Sequence, residues 1–182
     1  MLMTLALVLS LVLSAQARPD FTGQWTTAPE AAAPGGAGPG RGAGGGAAAG
    51  RGRGEMGSGW GPTIRITQSG QLLTVEYAFY TRGDMQPPLK FVYALDGSET
   101  KNVVMAGHGM QEQRSKTAWS GESLVITTTH MFTDPATGKD APTTITQTLS
   151  LSSPTSLVVT ATRAGVLGGA ETTSTTTYRK IS

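Results

Sequence analysis

Residues 89–97 have the sequence Leu-Lys-Phe-Val-Tyr-Ala-Leu-Asp-Gly. The large apolar side chains of this segment occupy every second position, at Leu89, Phe91, Tyr93 and Leu95. Successive side chains of a β-strand point to opposite faces, so this alternation predicts a strand with one buried face. The Asp-Gly pair that follows tolerates positive φ and is a strong hairpin signal. The segment therefore predicts a half-buried strand that ends in a tight turn.

The same two-residue alternation recurs along the rest of the chain. Strand candidates lie at residues 20–27, 64–67, 73–79, 89–95, 100–105, 111–119, 123–130, 144–151, 156–163 and 172–181. Turn residues separate them at the spacing of an all-β meander, and short connections favour antiparallel neighbours. A sheet with one apolar face must roll up or be covered, and closure also removes its edges. We predict an all-β, antiparallel up-and-down β-barrel of about 8–10 strands.

Composition excludes several classes of protein. The 182 residues carry 14 Lys and Arg against 12 Asp and Glu, and the net charge of +2 is too small for general nucleic-acid binding. The absence of Cys excludes disulfide scaffolds, thiolate metal sites and cysteine nucleophiles. We expect no nucleic-acid partner.

The N-terminus predicts export. Residues 2–13 form an apolar run that is too short to span a bilayer and resembles the core of a secretory signal. Ala15-Gln16-Ala17 follows as a small-x-small cleavage site, although no Lys or Arg precedes the run. We expect residues 1–17 to form a helical signal peptide and cleavage near Ala17 to release a periplasmic or extracellular protein with no membrane span.

The mature chain divides into three parts by residue composition and strand pattern. Residues 18–30 form a first strand region, and residues 62–182 form the barrel body. Residues 31–61 between them are rich in Gly, Ala and Arg, and we predict a disordered insert because such chain buries little side-chain surface. Its Arg-Gly pairs resemble RNA-binding segments, but three cations downstream of an export signal favour a plain linker.

The predicted inner face mixes apolar and polar side chains. Eight residues on it are candidate ligand contacts: Tyr77, Phe91, Tyr93, Gln113, Ser115, Trp119, His130 and Gln147. Buried polar groups need partners, which other side chains, water or a ligand can supply. A barrel of about eight strands encloses enough room for one small ligand. The alternative, that these polar groups lie at an open mouth and meet solvent, stays open.

Catalytic and metal-binding motifs are missing from the sequence. It has no His pair at metal-ligand spacing, no nucleophile elbow and no phosphate-binding loop. Of its two histidines, His108 lies in a Gly-rich turn, while His130 ends a strand as a candidate for the rim of a pocket. We expect a protein that is not an enzyme and that uses neither metal nor cofactor.

Several motifs carry a resemblance to a known family. They are Phe21-x-Gly23-x-Trp25, Tyr93-x-Leu95-Asp96-Gly97, Trp119-Ser120-Gly121-Glu122 and the closing Tyr178-Arg179-Lys180. In this order they resemble small exported bacterial lipocalin-like (calycin-like) proteins of unassigned function. The resemblance implies a barrel in which Trp25 closes one end and packs against Arg179 as a cation–π pair.

These observations predict a secreted, non-enzymatic lipocalin-like barrel that binds a small apolar or amphipathic ligand. The alternative is a cell-envelope accessory or protein-interaction module that has no ligand cavity. Such a module would use the Thr-rich outer face or the Gly/Arg-rich insert.

Overall fold

A computed structural model describes residues 18–28, 58–77, 88–106, 109–134, 136–166 and 169–181. The predicted signal peptide, most of the predicted insert and His108 lie outside the described residues. Ten strands are present: β1 (Gly23–Thr27), β2 (Thr63–Ser69), β3 (Leu72–Tyr77), β4 (Leu89–Ala94), β5 (Thr100–Ala106), β6 (Gly109–Ser120), β7 (Ser123–Thr133), β8 (Asp140–Ser153), β9 (Ser156–Arg163) and β10 (Thr172–Ile181).

The strands form one antiparallel sheet in the order β4-β3-β2-β1-β10-β9-β8-β7-β6-β5. Neighbours in the chain are neighbours in the sheet, and β1 pairs with β10. The two outer strands, β4 and β5, lie side by side, so the sheet rolls into a nearly closed barrel. The predicted all-β, up-and-down barrel is confirmed. None of the described residues forms a helix, and so none forms one able to span a membrane.

Alternate side chains of the strands face the inside of the barrel, as predicted. On β7, Leu124 and Ile126 are fully buried while Thr127 and Thr129 are exposed. The β7–β8 ladder extends past the predicted ends, to the pair Thr133 and Asp140. Burial of apolar surface contributes about 25 cal/mol per Å², so this continuous inner face is the main source of stability.

Side chains rather than a ladder close the seam between β4 and β5. The Val92 N–H donates to Asn102 Oδ1 at 2.8 Å, and Asn102 Nδ2 donates to the Val92 carbonyl at 3.0 Å. The Thr117 hydroxyl donates to the Ala94 carbonyl. Asn102 is buried, and its two hydrogen bonds satisfy main-chain groups that a neighbouring strand would otherwise satisfy.

One end of the barrel, where β1 begins, is closed by aromatic rings and cations. Trp25 is fully buried and donates from Nε1 to the Phe21 carbonyl at 3.0 Å. Phe21 stacks on Trp119 with ring centroids 6.1 Å apart, and Arg18 lies 5.1 Å from the Trp119 ring. We call this the closed end.

The predicted contact between Trp25 and Arg179 is wrong by one residue. Lys180 Nζ lies 5.3 Å from the Trp25 ring, and Trp25 and Lys180 are register partners across β1 and β10. Strand alternation explains the correction. Lys180 shares the inner face with the buried Tyr178, which places Arg179 between them on the exposed outer face.

The predicted disordered insert, residues 31–61, extends too far. Ser58 and Trp60 are buried inside the barrel, with exposures of 1% and 7%. The Ser58 hydroxyl lies 2.5 Å from the Tyr178 hydroxyl, which also donates to the Gly61 carbonyl at 3.1 Å. Gln147 Nε2 donates to the Ser58 carbonyl at 2.6 Å. Polar side chains on the inner wall therefore hold this segment, which we call the plug (Ser58–Gly61).

Candidate functional site

A cavity of about 260 Å³ lies between the plug and the barrel wall, toward the end opposite the closed end. Inward-facing positions on six strands, β3 to β8, supply most of its wall. The described residues that line it are Gly59, Trp60, Tyr77, Leu89, Phe91, Tyr93, Val104, Gln113, Thr128, Ile145 and Gln147.

Aromatic rings form one wall of the cavity. The Tyr77 and Phe91 rings are stacked at 5.8 Å and 2°, and the Phe91 and Tyr93 rings at 6.4 Å and 10°. Trp60 extends the wall from the plug, at 6.5 Å and 51° to Tyr93. Offset stacking of this kind stabilises each pair by about 0.5–1.5 kcal/mol. The result is a stack of nearly parallel aromatic rings along this side of the cavity.

The phenols in this wall stay neutral. Burial raises the pKa of Tyr93 well above its ordinary range, and a hydrogen bond to Trp60 offsets only part of that rise. Burial also raises the pKa of Tyr77. Both side chains therefore act as rings with hydroxyl groups and carry no charge near neutral pH.

Amide and hydroxyl groups on β6, β7 and β8 form the facing wall. The Thr128 hydroxyl is hydrogen-bonded to the Ser115 hydroxyl at 2.8 Å. Gln147 uses Nε2 to hold the plug, which leaves its Oε1 as an acceptor. Gln113 is half-buried, and no group of the described residues forms a hydrogen bond with its amide.

A glycine in the plug lets the chain pass close to this wall. Gly59 has φ of +87°, a left-handed conformation that favours glycine. A Cβ there would lie 3.3 Å from Gln147 Nε2 and 3.5 Å from Arg163 Nη2. Arg163 donates from Nη1 to Ser174 Oγ at 3.2 Å, and burial lowers its pKa.

Five of the eight predicted ligand contacts line the cavity: Tyr77, Phe91, Tyr93, Gln113 and Gln147. Ser115 is buried beside it, hydrogen-bonded to the lining residue Thr128. Trp119 lies at the closed end against Phe21. Alternation predicts which face a side chain occupies but not its height along the barrel, so the structure separates Trp119 from the others.

His130 is half-buried on the inner face, next to Thr143 across β7 and β8, and does not line the cavity. Its Nδ1 is buried without a hydrogen-bond partner among the described residues, and burial lowers its pKa. No group of three or more potential metal ligands occurs in the described part of the chain.

Sequence reasoning missed six of the lining residues: Gly59, Trp60, Leu89, Val104, Thr128 and Ile145. Alternation puts Thr128 in phase with His130 and Ile145 in phase with Gln147, on the inner face, but does not distinguish ligand contacts from other inward side chains. Trp60 carried a usable signal, since it is the only aromatic residue between positions 31 and 61. A large ring inside a Gly-rich segment indicates burial.

A second hollow of about 390 Å³ lies along β1, β2 and β3. Its lining includes the outward-facing side chains of Gln24, Arg65 and Glu76. The interior cavity is the stronger candidate because it combines an apolar wall with a few convergent polar groups.

Comparison of the chain with protein-family models, curated proteins and solved structures finds no match.

Proposed function

We propose that this protein is an exported, lipocalin-like carrier that binds one small apolar or amphipathic molecule in the barrel cavity. The observation that carries the proposal is the cavity of about 260 Å³ between an aromatic wall and a polar wall. An apolar cavity of about 150 Å³ holds benzene. The cavity therefore suits a ligand of one or two rings, or a short chain of similar volume.

Two residues directly after the proposed cleavage site contact the barrel. Arg18 lies over the Trp119 ring, and the Pro19 carbonyl accepts from Gln68 Nε2 at 3.3 Å. These are the first residues that would remain after cleavage behind Ala17. Cleavage at that position would leave every one of these contacts in place.

Binding without catalysis is the simplest role for this lining. Its described side chains offer rings, methyl groups, amides and hydroxyls, and its ionisable groups are tyrosines whose pKa values are raised. General acid–base catalysis needs a group that titrates near the working pH. We therefore propose a container and assign no reaction.

The two valines Val103 and Val104 provide a matched test. Val104 lines the cavity and is 8% exposed, whereas Val103 on the same strand points outward and is 57% exposed. Val104→Phe should fill the cavity, while Val103→Phe should leave it unchanged.

The experiment is a thermal-shift and fluorescence screen of the mature protein with one- and two-ring fragments and short-chain lipids. Hits should quench or shift emission from Trp60, bind the Val103→Phe variant normally and bind the Val104→Phe variant at least tenfold more weakly. Absence of any hit, or hits that bind both variants equally, would overturn the proposal and favour a role for the outer face.

A further inference from the structure

We infer that the cavity selects an uncharged, planar aromatic ligand whose edge presents an adjacent hydrogen-bond donor and acceptor to Gln113. Primary carboxamides, lactams and amino-substituted ring nitrogens have this edge. The inference rests on the proposed function and specifies the chemical class of its ligand.

Ring geometry supports a planar ligand. Tyr77, Phe91 and Tyr93 are nearly parallel to one another, with interplanar angles of 2° and 10°. A flat molecule that lies parallel to these rings extends the same stack, whereas a saturated ring of equal volume does not. Aromatic pairs favour this arrangement by about 0.5–1.5 kcal/mol beyond the area they bury.

The hydrogen bonds of neighbouring side chains single out Gln113. Its register partner on β5 is Asn102, whose amide is committed to both main-chain groups of Val92. Thr128 is hydrogen-bonded to Ser115. The Gln113 amide lines the cavity and offers one acceptor and two donors there.

A planar amide recognises a donor and an acceptor at once when the partner presents both in one edge. Glutamine reads adenine in this bidentate way in DNA grooves. The Oε1 of Gln147, left over from the hydrogen bond with the plug, provides a further acceptor. A purely apolar ligand would cover the Gln113 amide without offering it a hydrogen bond, which makes the free energy of binding less favourable.

The absence of charge along the described lining supports a neutral ligand. Burial of an ion without a partner is strongly unfavourable, and the described residues that line the cavity include none with a charged side chain. Arg163 lies beside Gly59, is not one of the lining residues, and donates to Ser174. A ligand of the same shape that carries a carboxylate should therefore bind more weakly than the neutral one.

Four probes of nearly equal size separate the features. Benzamide is planar, neutral and carries the donor–acceptor edge; ethylbenzene lacks the edge, cyclohexanecarboxamide lacks the planar ring, and benzoate is charged. Titrations of the mature protein should show benzamide binding at least tenfold more tightly than each of the other three. Equal or tighter binding of any of them would overturn the inference.

Variants at Gln113 test the residue itself. Gln113→Leu should reduce the preference for benzamide over ethylbenzene to about threefold or less, while ethylbenzene binding is retained or improved, which shows that the cavity is intact. Lys116→Leu, on the exposed outer face of the same strand, should keep the full preference. A preference that survives in Gln113→Leu would overturn the role of Gln113. Failure of all four probes on the wild-type protein would overturn the proposed function as well.

Discussion

The Asn102 side chain makes the two main-chain hydrogen bonds with Val92 that a neighbouring strand would otherwise make. Its Oδ1 accepts from the Val92 N–H at 2.8 Å, and its Nδ2 donates to the Val92 carbonyl at 3.0 Å. A single side chain therefore satisfies both main-chain groups of a residue at the barrel seam. Since Phe91 and Tyr93 flank Val92 and line the cavity, the seam also holds part of the aromatic wall in place.

Loss of the Asn102 amide should weaken the whole barrel. Asn102→Ala leaves the partly buried N–H and carbonyl of Val92 without side-chain partners, which we expect to lower the free energy of unfolding by roughly 1–3 kcal/mol. Urea denaturation measures this change, and amide hydrogen exchange at Val92 should accelerate.

The neighbouring Lys101→Ala variant is the control for Asn102→Ala. Lys101 is exposed, and its ion pair with Glu112, at 3.5 Å, is worth no more than about 1 kcal/mol. Equal effects of the two substitutions would contradict the structural role of Asn102.

Tyr178 should make the barrel sensitive to alkaline pH. Burial raises the pKa of Tyr178 from its ordinary value of 10.0 to about 12, so the folded state holds the phenol proton more tightly than the unfolded state does. The stability that this difference contributes is complete below about pH 10 and is lost as the pH rises toward about 12.

The Tyr178→Phe variant tests this pH dependence. It removes the hydrogen bonds to the plug and should cost roughly 1–3 kcal/mol near neutral pH. It should also lose less stability than the wild type between about pH 10 and pH 12. Urea titrations at several pH values provide the comparison, and Tyr93, whose pKa is also raised, accounts for the loss that remains. Parallel pH profiles of the two proteins would refute the assignment.

Lys180 and Arg179 should differ in their effect on the closed end. Lys180→Met removes the cation over Trp25 and should destabilise the protein by about 0.5–1 kcal/mol. Arg179→Met, one position away on the outer face, should change stability by less than about 0.5 kcal/mol. Urea unfolding followed by tryptophan fluorescence distinguishes the two variants. A larger effect of Arg179→Met would contradict the contact between Lys180 and Trp25 and favour the predicted contact between Arg179 and Trp25.

Processing of the chain should leave Arg18 as its first residue. When the full sequence is expressed in a bacterial host, intact-mass measurement of the exported protein should match residues 18–182. Replacement of Ala15 and Ala17 by Leu should block this cleavage because it removes the small residues that the site requires. Recovery of uncleaved wild-type protein in the cytoplasm would contradict the proposed export.

Period-two alternation, together with the turn signals, was sufficient to predict the barrel and the inner face of β3, β4, β6, β7 and β8. It placed Phe91, Gln113 and Gln147 inside because the side-chain direction in a strand depends only on the parity of its position. Alternation does not predict how far along the barrel axis a side chain lies. That height depends on strand register, which is why Trp119 was grouped with residues that lie near the other end.

The plug and the seam depend on long-range contacts that no local pattern encodes. Trp60 was missed because the Gly-rich composition around it dominated the prediction for residues 31–61. Asn102 was missed because its role arises only when β5 curls back against β4. The shift from Arg179 to Lys180 has a similar origin, since a family motif does not determine which of two adjacent cations faces inward.

The most direct test of a ligand-binding barrel is a crystal structure of the mature protein under xenon pressure. Xenon enters dry apolar cavities that are large enough to admit it. We predict a xenon site against Phe91 and Ile145 within the cavity of about 260 Å³. A barrel interior filled by its own side chains, with no xenon inside, would contradict the claim that this protein is a container.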